Sequence, residues 1–366
     1  MASGVSIVIP SWNGIGLLQR FFPSVLAAAR RYRTQSGAPT EIIVVDDGST
    51  DETAGWLVGQ GFQEEDESET PRRGEREMGR PELRFARNKR NLGFGETCNR
   101  GFELAAHPLV FLLNNDVEAD ADCIAPLVEN FNDVSVFAAH CRVFEFDSGR
   151  ECGTGKLGSF SKGFIRVHRS YAAVRASRPQ SAAGAVDQGA SRQQATVSSR
   201  AASQPEPLFS MFAGGGSAMF DRQKFLELGG FEPLLSPFYW EDVELSYRAW
   251  KRGYTVMYEP RSVARHRISS TIGKLSGRKV RTIEQRNRLI FHWINLHDGR
   301  MLASHIAWVL LLGATAPLRF EPGFLLSVAA AIRALPQIRK RRRREKEVAE
   351  RSDRGVFEVF TSLEEV

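Results

Sequence analysis

Apolar and polar positions fall into alternating blocks along the first 120 residues. Val5-Ser6-Ile7-Val8-Ile9 is a short β-branched run closed by Pro10, which reads as a strand. Leu17 to Tyr32 follows as an amphipathic helix, and Glu41 to Val45 as a second strand. Strand, helix, strand in that order predicts a right-handed crossover and a parallel sheet. Leu83 to Ala86 adds a strand and about Glu96 to Ala106 a helix, before an uninterrupted apolar run from Leu109 to Leu113. Such a run predicts a strand buried on both faces. It stops abruptly at Asn114-Asn115-Asp116. Beyond it the pattern predicts a helix over Asp122–Phe131 and a strand pair over Val134–Phe146. Phe225 to Leu228 ends at Gly229-Gly230, a helix C-cap pattern, and another helix opens at Glu241-Asp242 and closes at Arg252-Gly253. The predicted class is α/β with a mostly parallel sheet.

Two stretches break this order. Residues 62–81 are charged with almost no apolar content, and residues 170–207 are rich in Ala, Ser, Gln and Arg; both read as surface insertions. Near the end, Met301–Leu318 and Phe324–Ile338 are apolar but interrupted by His305, Gly313, Pro317, Arg333 and Pro336. Each falls short of the roughly 20 apolar residues that span a bilayer. The expected division is one enzyme-sized domain over 1–295, amphipathic basic helices over 296–346 and a tail over 347–366.

Charge sharpens that division. Of a net +6, the segment Arg333 to Lys346 carries eight basic residues and one acid, so the rest of the chain is near neutral. That argues against a nucleic-acid groove on the main domain. It predicts apolar helices lying in a membrane interface, drawn by anionic headgroups; packing on the core or on a second subunit, as in a homodimer, is the competing expectation. The early strand and Pro10 leave no room for a signal-peptide core, and the four cysteines share no CxxC spacing, so a cytoplasmic setting with reduced thiols is expected.

Candidate chemistry sits where strands end. Asp46-Asp47 and Asp116 stand at carboxyl ends of predicted strands, the edge at which open α/β sheets bind ligands. Gly214-Gly215-Gly216 amid apolar residues allows close backbone approach, and Glu241-Asp242 opens a helix, where carboxylates are favoured. Each also fits an ordinary turn or helix cap.

Collected in order, Ile9-Pro10-Ser11-Trp12-Asn13, Val45-Asp46-Asp47-Gly48, Asn91-Leu92-Gly93, Leu113-Asn114-Asn115-Asp116, Gly214-Gly215-Gly216 and Trp240-Glu241-Asp242 make the chain resemble a family-2 glycosyltransferase of GT-A fold, in particular its rhamnosyltransferase-like branch. The resemblance covers roughly residues 5 to 290. It implies a single Rossmann-like sheet flanked by helices, a nucleoside-diphosphate sugar donor (dTDP-rhamnose by closest likeness), a Mn²⁺ or Mg²⁺ cofactor and inversion at the anomeric carbon. It implies that Pro10, Trp12, Asn13, Asp46, Asp47, Asn91, Gly93 and Asn115 line the nucleotide-sugar site. Asp116 would bind the metal with Asn114 and His266. Asn114 replaces the family's first acid and is a weaker, neutral ligand. Asp242 would be the base beside Glu241; Gly214, Gly215, Gly216 and Trp240 would border donor and acceptor; and Arg248, Arg286 and Arg288 would contact phosphate. The implied acceptor is a lipid-linked or cell-surface glycan, met at the inner face of the membrane. Competing expectations are an inactive carbohydrate-binding relative, favoured only by Asn114, and a sugar-nucleotide pyrophosphorylase, which would want a Gly- and Arg-rich loop where Ser11-Trp12-Asn13-Gly14 stands. A dehydrogenase is excluded because GxGxxG is absent there.

Overall fold

A computed structural model describes residues 3–65, 81–170, 207–267, 276–318 and 321–365. The two expected insertions therefore lie largely outside the described residues. In chain order the first half comprises β1 (Val5–Ser11), α1 (Ile15–Ser36), β2 (Thr40–Asp46), α2 (Thr53–Gly59), β3 (Gln63–Glu64), β4 (Glu82–Arg87), α3 (Phe94–Leu104), β5 (Leu109–Leu113), β6 (Val117–Ala119), α4 (Ile124–Asn130) and β7 (Val136–Glu145). Then come β8 (Glu151–Gly153), β9 (Lys156–Ser161), β10 (Phe164–Ser170), β11 (Leu208–Phe209), β12 (Ser217–Asp221), α5 (Arg222–Leu228), α6 (Glu241–Lys251) and β13 (Thr255–His266). The chain closes with α7 (Gly277–Asn295), α8 (Gly299–Thr315), α9 (Pro322–Arg333), α10 (Leu335–Glu347) and α11 (Asp353–Glu365).

The central sheet runs β11-β13-β7-β12-β5-β1-β2-β4-β3, with β6 and β8 at its margins. β5, β1, β2, β4 and β3 are parallel, as are β7 and β13; β12 lies antiparallel between the two blocks. This is the expected α/β fold of GT-A type. The apolar runs explain it. In β5, Val110 and Leu112 enter one core while Leu109, Phe111 and Leu113 enter the core on the opposite face. A strand covered on both sides needs every position apolar, which is the pattern of the sequence. β9 and β10 form a separate antiparallel hairpin. α5 starts on an Asp221 cap and, as the glycine pair predicted, ends at Gly229 in the left-handed region.

Three expectations are corrected. The insertion does not begin at 62: Phe62 is buried and Gln63–Glu64 pair with β4. The strand pair over 134–146 is one long strand, β7, whose partners come from elsewhere. Within the expected tail over 347–366, α11 places Val356 and Phe360 in the core, Phe360 against Trp250. The basic run is not wholly exposed. Arg341 turns inward to Glu232 at 2.9 Å and Glu345 at 3.3 Å, and Arg342 donates to the carbonyl of Trp293 at 2.9 Å, so α10 is docked on the body. Ionic pairing across a hundred residues offsets the desolvation that composition alone would forbid.

Candidate functional site

The carboxyl ends of β1, β2 and β5 form a ledge held by short polar contacts. The Asp47 amide donates to the Ser11 carbonyl at 2.8 Å, joining the ends of β2 and β1. Asn115 Nδ2 donates to Ser11 Oγ at 3.0 Å, joining the turn after β5 to β1. Asn13 sits at φ 47°, fixed by Ser49 Oγ accepting from its amide at 2.8 Å and by Thr50 donating to its Oδ1 at 2.8 Å. With Asn13 so held, Trp12 projects from the ledge, 44% exposed. Asp46 is buried; its Oδ1 accepts from the Ser49 amide at 3.1 Å and Arg87 Nε stands 3.3 Å from Oδ2. Pro10 is buried beneath this ledge.

Asp47 has a different job from the one expected. Its carboxylate accepts from Leu92 N at 2.8 Å, Gly93 N at 3.0 Å and Asn88 Nδ2 at 2.8 Å. Those three donors use up most of its acceptor capacity, so it shapes the 88–93 loop rather than facing a ligand. Gly93 has φ 94°, and a Cβ there would meet Ser236 Oγ at 2.7 Å, so this glycine serves close backbone packing. Asn91 on the same loop is exposed.

Beyond β5, Asp116 and His266 come together, with His266 Nε2 3.0 Å from Asp116 Oδ1. β13 delivers His266 opposite Val117. Asn114 lies alongside: its amide donates to the Gly216 carbonyl at 3.0 Å, and its Oδ1 is buried without a hydrogen-bond partner. A Cβ on Gly216 would stand 2.6 Å from Asn114 Nδ2, so a larger residue there would displace the Asn114 side chain. Among the described residues no cluster of three or more His, Cys, Asp or Glu could hold a metal unaided. A buried amide oxygen, a carboxylate and an imidazole do fit a cation that takes its remaining ligands from a substrate diphosphate and water.

The glycine segment leads on to the helix start. Gly214 faces open space, while a Cβ on Gly215 would lie 3.8 Å from Asp242 Cβ. Tyr239 and Trp240 both have φ near 75°, unusual for aromatic residues, immediately before Glu241-Asp242. Asn287 on α7 holds them, its Nδ2 donating to the carbonyls of Phe238 and Tyr239 at 2.9 Å each. Asn287 was not singled out by the sequence reading. An Asn inside a helix is unfavourable enough to have marked it.

Burial pushes both carboxyls of the pair up. Glu241 rises to about 8, through desolvation first and the Asp242 charge second, and its Oε2 is buried without a hydrogen-bond partner. Asp242 is also raised by burial, but backbone amides of Val243 and Gly215 counter this by stabilising its charged form. The two environments favour the proton on Glu241 and the charge on Asp242.

One expected phosphate contact is corrected, and a second is partly engaged elsewhere. Arg248 is fully buried, donating to both Glu244 oxygens and to the carbonyls of Leu228 and Gly230, where it closes the end of α5. Its helical position points inward, and its buried guanidinium faces these partners rather than a phosphate. Arg286 donates from Nε and Nη2 to Asn287 Oδ1 and from Nη2 to the Ser236 carbonyl, clamping the loop before Trp240. Arg288 remains uncommitted in its side-chain hydrogen bonding.

A model described as glycosyl transferase family 2 matches residues 6–174. No curated protein matches the chain. Among solved structures, GalNAc-T7 with UDP, GalNAc and Mn²⁺ is similar at 19% identity and a TM-score of 0.53, over 81% of this chain. This chain spans only 49% of that one. S. aureus TarS 1-349 in complex with UDP-GlcNAc is similar at 12% identity and a TM-score of 0.52, over 99% of this chain and 90% of that one. At such identities the likeness is one of fold.

Proposed function

From the match of residues 6–174 to a glycosyl transferase family 2 model and the site geometry together, we propose that the chain moves a sugar from a nucleoside-diphosphate donor to an acceptor hydroxyl by direct, inverting displacement. The carrying observation is the placement of Asp242 at the start of α6, against Gly215, in the segment whose next residue packs on Asn114. A base and a cation-fitting ledge are thus joined by one short glycine bridge. The reading draws support from the UDP and Mn²⁺ of GalNAc-T7 and the UDP-GlcNAc of TarS, which share this fold.

In this reading Trp12 and the Asp46 pocket take the nucleotide. Asp116, Asn114 and His266 would hold a divalent ion, which when bound offsets charge on the leaving diphosphate. Asp242 accepts the acceptor hydroxyl's proton as that oxygen attacks; the amides at its carboxylate favour the charged form against burial. Protonated Glu241 adds no second charge and offers a hydrogen-bond donor to the acceptor.

The acceptor is proposed to be a lipid-linked or surface glycan met at the inner membrane face. No described helix is long and apolar enough to cross a membrane. Yet Ile306, Leu310 and Leu311 on α8, Leu318 beyond it, and Leu325, Leu326 and Ile332 on α9 are all exposed. Such a patch is unusual for a free surface, and exposed Arg333, Arg339, Lys340 and Arg343 border it in sequence, complementing anionic headgroups. The test is a donor panel of dTDP-, UDP- and GDP-sugars, with and without Mn²⁺ or Mg²⁺, measuring release of nucleoside diphosphate. Release from one base class, dependent on metal, is expected. No release from any donor with acceptor-containing membranes present would leave an inactive relative.

A further inference from the structure

Within Gln285-Arg286-Asn287-Arg288, Arg286 and Asn287 are accounted for by the loop they clamp, and Arg288 is not. Its Nε and Nη2 are buried and make no hydrogen bond. Its guanidinium stands 4.3 Å from the ring centroid of Phe164 on β10 and 5.7 Å from that of Trp240. A second guanidinium, Arg166 on β10, reaches the same Phe164 ring at 5.9 Å. No ion pair joins either arginine to a carboxylate among the described residues; the acid nearest in effect is exposed Glu284, and burial with the neighbouring Arg166 charge pulls Arg288 down to about 10. Two cations gathered on one aromatic ring, one with buried unused donors, is costly unless an anion joins them.

The position says which anion. The start of α6 has two sides. On one, Asp242 meets Gly215, and Gly216 meets Asn114 and so the cation-fitting residues. On the other, Trp240 packs on Phe291 at 5.2 Å and His292 at 6.2 Å and faces Arg288. We infer that Arg166 and Arg288, framed by Phe164 and Trp240, form an anion subsite for a phosphate or carboxylate carried by the acceptor, on the side of the base away from the donor's diphosphate. The planar fork of Arg288 can bind such a group through two parallel N–H donors, and Arg166 adds charge from the hairpin. The acceptor is therefore an acidic one, bearing its negative group close to the reacting hydroxyl.

The inference rests on the transferase reading for the acceptor's role, but the subsite can be measured without turnover. Full-length protein is titrated with inorganic phosphate, followed by ³¹P line broadening, alone and with saturating UDP and diamagnetic Mg²⁺. Phosphate is expected to bind in both conditions. Arg288→Gln and Arg166→Gln should each weaken it at least fivefold, leaving UDP affinity within twofold, and Arg288→Lys should recover only part. Arg166, partly exposed, supplies a variant that keeps the fold if Arg288→Gln does not. Displacement of phosphate by UDP and Mg²⁺, or a tenfold loss of UDP affinity in either variant, would assign the arginines to the donor and overturn the inference. Equal phosphate affinity in wild type and both variants would overturn it as well. A donor panel with no activity beside intact phosphate binding would sink the transferase reading alone.

Discussion

At the scale of single residues, neighbours of the same type separate by what surrounds them. Asp46 and Asp47 are adjacent acids, yet Asp47 is largely taken up by three loop donors while Asp46 has one oxygen bonded to an amide and the other beside an arginine. Glu241 and Asp242 separate by hydrogen bonding. Because Glu241 carries the proton below about pH 8, Glu241→Gln imitates its working state. Its turnover at pH 7 should stay within about fivefold of wild type, far less than the loss of a base would cost. A loss of a hundredfold in that variant would make Glu241 the base instead. Asp116→Ala should abolish Mn²⁺-dependent nucleotide binding in calorimetry while leaving the melting temperature within a few degrees; undiminished binding would move the cation elsewhere. The acids at strand ends were legible because strand runs and turns announce themselves. Their individual tasks were not, since a carboxylate's partners come from segments forty residues away.

Elements show the same division. The apolar runs of β1, β2 and β5 specify their burial outright, and the glycine pair after α5 specifies its end. Arg248 defeated the reading because a charged residue in a helix looks solvated unless the carbonyls it closes are known. The β9–β10 hairpin was equally invisible in its docking. It is held by a stacked histidine pair, rings 4.6 Å apart: Ile165 N donates to His292 Nε2 at 2.9 Å, and His305 Nδ1 lies 2.8 Å from the Gly163 carbonyl. Burial lowers both, His305 to about 4, so they are neutral in the folded state. An unfolded histidine titrates near 6.5. The unfolded chain therefore binds more protons between these values, and stability present above about pH 6.5 is lost as pH falls toward about 4. Urea midpoints should drop between pH 7 and pH 5, and His305→Gln should flatten part of that drop. Parallel pH profiles in the two proteins would deny the pair this role.

For the whole molecule, composition foretold a basic C-terminal region and the structure divided it. Arg341 and Arg342 dock inward, while the leucines of α8 and α9 face out. Leu310→Glu with Leu326→Glu should abolish flotation with phosphatidylglycerol vesicles and leave donor hydrolysis unchanged; a double variant that still floats would put the contact elsewhere. What remains is whether the assembled site transfers sugar at all and whether Asp242 drives it. Asp242→Asn keeps shape and much of the hydrogen bonding but cannot take a proton. With the donor identified by the panel, kcat of this variant should fall at least about 100-fold while donor affinity stays near wild type. Transfer at the wild-type rate would contradict the account.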